Sequence, residues 1–127
     1  MVEQVVMLTQ NERVRLDQDR LADLYLQLGE AGAEDVVCRA MEELAVRLAH
    51  AARMYHQGQI PELRKSVRSM AAISEQIGMQ MLARVARDVT SCIDAGDANA
   101  VAATVARLMR IAERSLTAVW DMQDMTV

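Results

Sequence analysis

The stretch QGQIPELRKSVRSMAAISEQIG, residues 57–78, decides the fold of this chain because it encloses one helix between two stop signals. Gly58 suits the left-handed residue that ends a helix, and Pro61 suits the first turn of a new helix, where no backbone donor is needed. From there the apolar positions recur in steps of three and four, which predicts a helix over 61–77. Gly78 then predicts a bend before the next helix. The inner stripe of this helix is predicted to be Leu63, Val67, Met70, Ser74 and Ile77.

The same spacing extends in both directions and predicts five helices, over residues 11–28, 34–57, 61–77, 79–93 and 98–122. Two glycines in GEAGAED, residues 29–35, predict a turn between the first two helices. In DAGDANA, Gly96 suits a helix end and Asp97 suits the N-cap of the last helix. Because short connections favour antiparallel neighbours, we expect an all-α, antiparallel four-helix bundle over 34–122 with an additional N-terminal helix, in a single domain of residues 1–127.

Each of the other four helices also carries an apolar stripe that is predicted to face inward. In chain order these stripes are Val14, Leu21, Leu24, Tyr25 and Leu28; Val37, Met41, Leu44, Leu48, Ala52 and Tyr55; Leu82, Val85, Ala86, Val89 and Ile93; and Val101, Val105, Leu108, Ala112, Leu116 and Val119.

The composition supports the all-α prediction and narrows the function. Hydrophobic residues make up 52% of the chain, but there is no Phe and only one Pro, whereas there are ten Met. Strands favour aromatic and β-branched residues, and this chain favours helix formers instead. The net charge of −4 argues against a nucleic-acid partner. No apolar run approaches the roughly 18 residues of a membrane span, and the N-terminus does not read as a signal peptide. We therefore expect a cytoplasmic protein.

The sequence contains few residues that could carry chemistry. Its only histidines, His50 and His56, are six residues apart and therefore lie on different faces of a helix, so they cannot form a metal pair. Cys38 and Cys92 are isolated from other ligands and are interpreted as reduced, buried residues. No phosphate-binding glycine loop and no serine–histidine pattern occurs. We expect no metal, no cofactor and no enzymatic activity.

One family resemblance covers most of the chain. The span from about Leu44 to Val119 resembles a histidine-containing phosphotransfer (HPt) domain, the helical relay of bacterial two-component signalling, whose motif is of the kind His-Thr-Leu-Lys-Gly-Ser-x-x-x-Ile-Gly. Alignment on Ile77 and Gly78 places Ser69 at the hydroxyl position and Met70 at the leucine. The turn CIDAGDANAV, residues 92–101, resembles the L-x-x-G-D turn of the family, and MYHQGQIPELRKSVRSM resembles the approach to its site.

The departures from the motif fall on the reactive residues. Arg68 stands where the family has its phosphoaccepting histidine, Ala71 stands at the lysine, Ala72 at the glycine and Ile73 at the serine. Phosphoryl acceptance needs the lone pair of an imidazole nitrogen, whereas a guanidinium has five donors and no acceptor. The resemblance therefore implies a relay that is chemically silent at this site.

The resemblance leads to one main function hypothesis. A non-catalytic HPt-like module would dock a receiver or histidine-kinase domain through the face around Arg68, since an arginine can grip the carboxylates of an acidic receiver pocket. The residues assigned to that face are Arg64, Lys65, Arg68, Ala71, Ala72 and Glu75. We expect Arg68 to be exposed in the middle of its helix and not paired with Glu75. Alternatively, it is an ordinary solvated arginine.

Two further alternatives stay open at the level of sequence. Phosphotransfer would survive if the fold presented His50 or His56 on the docking face. The chain would instead be a self-associating bundle if the N-terminal helix paired with a second copy to form a homodimer. Leu21, Leu24 and Leu28 either cover the bundle or make that contact.

Overall fold

The computed structural model describes residues 17–125, with side chains described as far as Val119. Within this range the chain is all-helical and has no strand. The helices are α1 (Gln18–His56), α2 (Ile60–Gln76), α3 (Gln80–Asp94) and α4 (Ala98–Met125). The start of the predicted first helix, including Val14, lies outside the described residues.

The first two predicted helices form one element, α1, with a break at a single residue. Gly29 has φ 74° and ψ 171°, and the helix resumes directly after it. The prediction that residues 29–35 form a turn is therefore wrong beyond Gly29. Helix-forming residues such as Ala31 and Ala33 follow the break. Ala33 is fully buried, so packing also favours the helical path.

The three turns between helices confirm the stop signals. Gly58, Gly78 and Gly96 all have positive φ, of 69°, 80° and 69°. Pro61 lies in the first turn of α2. The Asp97 side chain accepts a hydrogen bond from the backbone N–H of Ala100 at 3.1 Å, as expected of an N-cap.

The inner stripes meet in one apolar core that includes residues from all four helices. The α2 prediction is confirmed at all five positions, none of which is more than 1% exposed. Six buried apolar residues lie outside the predicted stripes: Ala33, Ala51, Ala71, Met79, Ala83 and Ile111. In the first stripe only Leu24 is buried; Leu21 is partly buried against the core, whereas Tyr25 and Leu28 are exposed.

The helices pack mainly in chain order. α2 packs between α1 and α3, and α4 packs against α3 with only slight contact to α1. Arg64, near the start of α2, pairs with Asp94 at the end of α3, while Glu75 near the end of α2 pairs with Arg87. These two exposed pairs link α2 to α3 near both ends of α2. None of the described helices is both long and apolar enough to cross a membrane.

Candidate docking face on α2

The six residues assigned to the docking face all lie on α2, but they do not share one surface. Lys65, Arg68, Ala72 and Glu75 are exposed, and Arg64 is half-buried. Ala71 is only 8% exposed and belongs to the core, so its assignment to the docking face is wrong. The reason is that α2 packs on two neighbours, which makes its buried arc wider than one stripe.

Arg64 is held by an ion pair to the neighbouring helix. Its Nε and Nη2 atoms donate to the two carboxylate oxygens of Asp94 at 2.8 Å and 2.9 Å, the bidentate geometry that an arginine fork favours. This hydrogen bonding lowers the pKa of Asp94 and raises the pKa of Arg64. The charge of Arg64 is thus already matched within the chain.

Two other charged residues of the face also have partners. Glu75 accepts a hydrogen bond from Arg87 of α3. Lys65 lies 3.5 Å from Glu62, one turn earlier on α2. The face is therefore less positive than its arginines and lysine alone indicate, because Glu62 on the same helix and Asp94 on the neighbouring helix lie beside two of them.

Arg68 differs from these residues. It is exposed, and among the described residues it forms no hydrogen bond and no ion pair. It follows Arg64 by one helical turn and precedes Glu75 by two, so it lies between the two ion pairs that link α2 to α3. The expectation that Arg68 is exposed and not paired with Glu75 is confirmed. All five of its N–H donors remain available to an external acceptor.

His50 faces α2 from α1 and is half-buried. Its Nδ1 atom forms a hydrogen bond with the hydroxyl of Ser66, which is only 1% exposed. Ser66 is too deeply buried to attack a substrate, so the pair joins two helices and does not form a nucleophile with its base. Sequence reasoning missed Ser66, although its position three residues after Leu63 and four before Met70 indicated an inner face.

His56, the last residue of α1, is exposed and lies apart from His50. Its ring centroid is 6.1 Å from that of Tyr55, at an interplanar angle of 58°. The structure therefore does not bring the two histidines and Arg68 together on one surface.

The two cysteines are half-buried and not joined in a disulfide, whereas the sequence predicted that they are buried. Along residues 17–119 no group of three or more His, Cys, Asp or Glu side chains is placed to hold a metal ion.

Comparisons with protein-family models, with curated proteins and with solved structures find no match to this chain.

Proposed function

We propose that this chain is a non-catalytic, HPt-like protein-binding module of two-component signalling, which docks a receiver or histidine-kinase domain through the α2 face around Arg68. The observation that carries the proposal is the state of Arg68, an exposed guanidinium in mid-helix without a partner among the described residues. It occupies the position that the family motif gives to the phosphoaccepting histidine.

The order of helices and turns supports the HPt-like part of the proposal. The motif positions run along α2 and end at Ile77 and Gly78, where the turn to α3 has positive φ. The acidic glycine turn of the motif corresponds to residues 95–97, with Asp97 as a helix cap. The proposal assigns the antiparallel bundle to residues 34–122 and the additional N-terminal helix to residues 11–28, of which the structure describes 17–28.

The contacts of the face support binding by a single charged anchor. Arg64 is held by Asp94, which leaves Arg68 as the arginine that a partner carboxylate can reach without breaking an ion pair. A bidentate contact between Arg68 and an acidic pocket is charge-assisted and directional. The small exposed side chain of Ala72, four residues later, leaves room beside the guanidinium for the surface of a partner.

The chemistry of the site supports binding without phosphoryl transfer. Arg68 has no lone pair to accept a phosphoryl group. One alternative acceptor is His50, but its Nδ1 is bonded to Ser66 of α2. Neither His50 nor His56 lies at the position that the motif uses.

The test measures affinity for purified receiver domains and kinase regions encoded in the same genome, with wild-type protein, R68E and R84E. Arg84 is the matched control because it is an exposed arginine on α3 and also has no ion pair among the described residues. Both substitutions change the net charge equally. We expect R68E to weaken binding about tenfold or more and R84E to change it little, since a hydrogen bond to a charged group contributes about 1.5–3 kcal/mol.

Equal affinity of R68E and wild type for every captured partner would refute Arg68 as the anchor. A parallel assay incubates the protein with phosphorylated receiver and measures acid-labile phosphate on this chain. If the wild-type chain acquires acid-labile phosphate and H50A or H56A does not, the relay is active and the non-catalytic proposal is wrong.

A further inference from the structure

The first segment of α1 is fastened to the turn between α2 and α3. We call residues 17–28 the strap. The backbone N–H of Asp17 donates to the carbonyl of Gly78 at 2.7 Å, and Arg20 Nε donates to the carbonyl of Gln76 at 3.1 Å. Gln80 Nε2 donates to the Asp17 carboxylate at 3.2 Å. The start of the strap is thus bonded to residues that lie about 60 positions further along the chain.

The strap also covers part of the core. Leu24 is 7% exposed, and Leu21 packs against the main apolar cluster. The turn beneath the strap contributes Ile77 and Met79, which are 1% and 0% exposed. The bundle therefore needs this segment, or an equivalent one, to keep its α2–α3 end covered.

A single residue sets the direction of the strap. Gly29, with φ 74° and ψ 171°, lies in a backbone region that is essentially reserved for glycine. Residues on both sides of it are helical. A change to helical dihedrals at Gly29 alone would turn α1 into one continuous helix and would carry the strap away from its own turn.

The exposed apolar side chains concentrate at this hinge. Four large apolar side chains are exposed in the described part of the chain, and three of them, Tyr25 (42%), Leu26 (84%) and Leu28 (48%), lie within four residues of Gly29. The fourth, Val46, lies elsewhere on α1. Such side chains gain most from burial when a second helix lies alongside the hinge.

We propose that two copies of this chain exchange their straps. In the exchanged dimer each α1 is straight at Gly29, each strap makes the Asp17 and Arg20 hydrogen bonds at the α2–α3 turn of the other copy, and Leu24 is buried in that copy. Every strap contact of the single copy is kept in the exchanged dimer. The equilibrium between monomer and dimer therefore depends on the backbone conformation of Gly29 and on protein concentration. The apolar side chains next to Gly29 gain a partner where the two straight helices cross.

The first test compares G29A with G58A by light scattering and sedimentation over a wide range of protein concentration. Alanine at position 29 disfavours the bent hinge and favours the continuous helix. We expect G29A to dimerise at least about tenfold more tightly than wild type. Gly58 is the matched control, since it also has positive φ and open space around it but lies in the α1–α2 turn, whereas the strap is bonded to the α2–α3 turn.

The second test asks whether the strap is the exchanged part. D17C and Q80C are introduced into separate copies in a C38S/C92S background, because residues 17 and 80 touch in the structure. The two copies are unfolded, mixed and refolded, then treated with a short thiol crosslinker. We expect a crosslinked heterodimer, increased by G29A.

Three outcomes would overturn the proposal: G29A that stays monomeric at every concentration, G58A that dimerises as tightly as G29A, or a dimer that gives no crosslink between the two copies. Circular dichroism of each variant shows whether its helical fold is retained. Docking through Arg68 is tested with a different partner and a different face, so neither result depends on the other.

Discussion

Substitution of Gly78 by alanine tests how strongly the strap is fastened. Gly78 has φ 80°, and a Cβ atom at this position would lie 2.9 Å from the backbone oxygen of Asp17 and 3.2 Å from its Cβ. Backbone oxygen cannot yield as a flexible side chain does, so Asp17 must move. Gly58 has φ 69° with nothing within 4 Å of the corresponding Cβ, so G58A carries the same backbone cost without the clash.

The expected magnitudes follow from these contacts. The positive φ costs each alanine variant about 1–2 kcal/mol. In G78A the displaced strap also loses the hydrogen bond from Asp17 to the Gly78 carbonyl, at about 0.5–1.5 kcal/mol, and part of the burial of Leu24, which is worth about 1.5–3 kcal/mol when complete. We expect G78A to lose about 2 kcal/mol more of the free energy of unfolding than G58A.

The assay is urea denaturation followed by circular dichroism, together with amide hydrogen exchange. Urea denaturation gives the difference in the free energy of unfolding between G78A and G58A. Hydrogen exchange shows which segment of the chain is destabilised. We expect amides of the strap to exchange faster in G78A and at the wild-type rate in G58A. Equal loss of stability in the two variants, with unchanged exchange in the strap, would refute the argument that the contact with Asp17 is what requires glycine at position 78.

Three further predictions concern buried polar groups and one ion pair. Ser115 is fully buried, and its hydroxyl has no hydrogen-bond partner among the described residues, so S115A is expected to raise the free energy of unfolding by about 1 kcal/mol; a loss of stability in denaturation would contradict this. H50A leaves the Ser66 hydroxyl buried without its partner, and it is expected to lower the free energy of unfolding by about 1–3 kcal/mol. In a double-mutant cycle, H50A/S66A should lose less free energy of unfolding than H50A and S66A lose together. Additive losses would argue against the hydrogen bond. The pKa of Asp94 is lowered by its bond to Arg64, so the pair stabilises the fold above the ordinary carboxyl value of 3.8, and this contribution is lost as pH falls through the lowered pKa. D94N is therefore expected to be slightly less stable than wild type at neutral pH and equally stable in strong acid, and a stability difference independent of pH would count against the pair.

The helices were predictable because their signals are local. The stripe from Leu63 to Ile77 repeats with the helical period, and every member is buried. Gly58 and Pro61 mark the ends of adjacent helices by backbone geometry alone, which needs no knowledge of the neighbours. The break in α1 was placed correctly at Gly29, but its length was overestimated, because glycine content alone does not show that Ala33 is buried.

The candidate site was less predictable, since it depends on which helices meet. Ala71 was assigned to the outer face, yet it is buried in the core of the bundle. The partner of Arg64 is 30 residues away in sequence, and only the register of α2 against α3 brings Asp94 to it. The exposure of Arg68 was expected from the helix wheel, whereas its lack of a partner follows from the ion pairs around it.

By itself the sequence determined an all-helical chain, the ends of most of its helices and most inner stripes, because hydrophobic period and turn chemistry act over a few residues. The tertiary structure alone decided the contacts between distant residues: which charges are matched, that His50 bonds to Ser66, and that the segment before Gly29 is fastened to the α2–α3 turn. These contacts depend on the relative positions of whole helices, which are set by the packing of all the side chains in the core and by no single stretch of the chain.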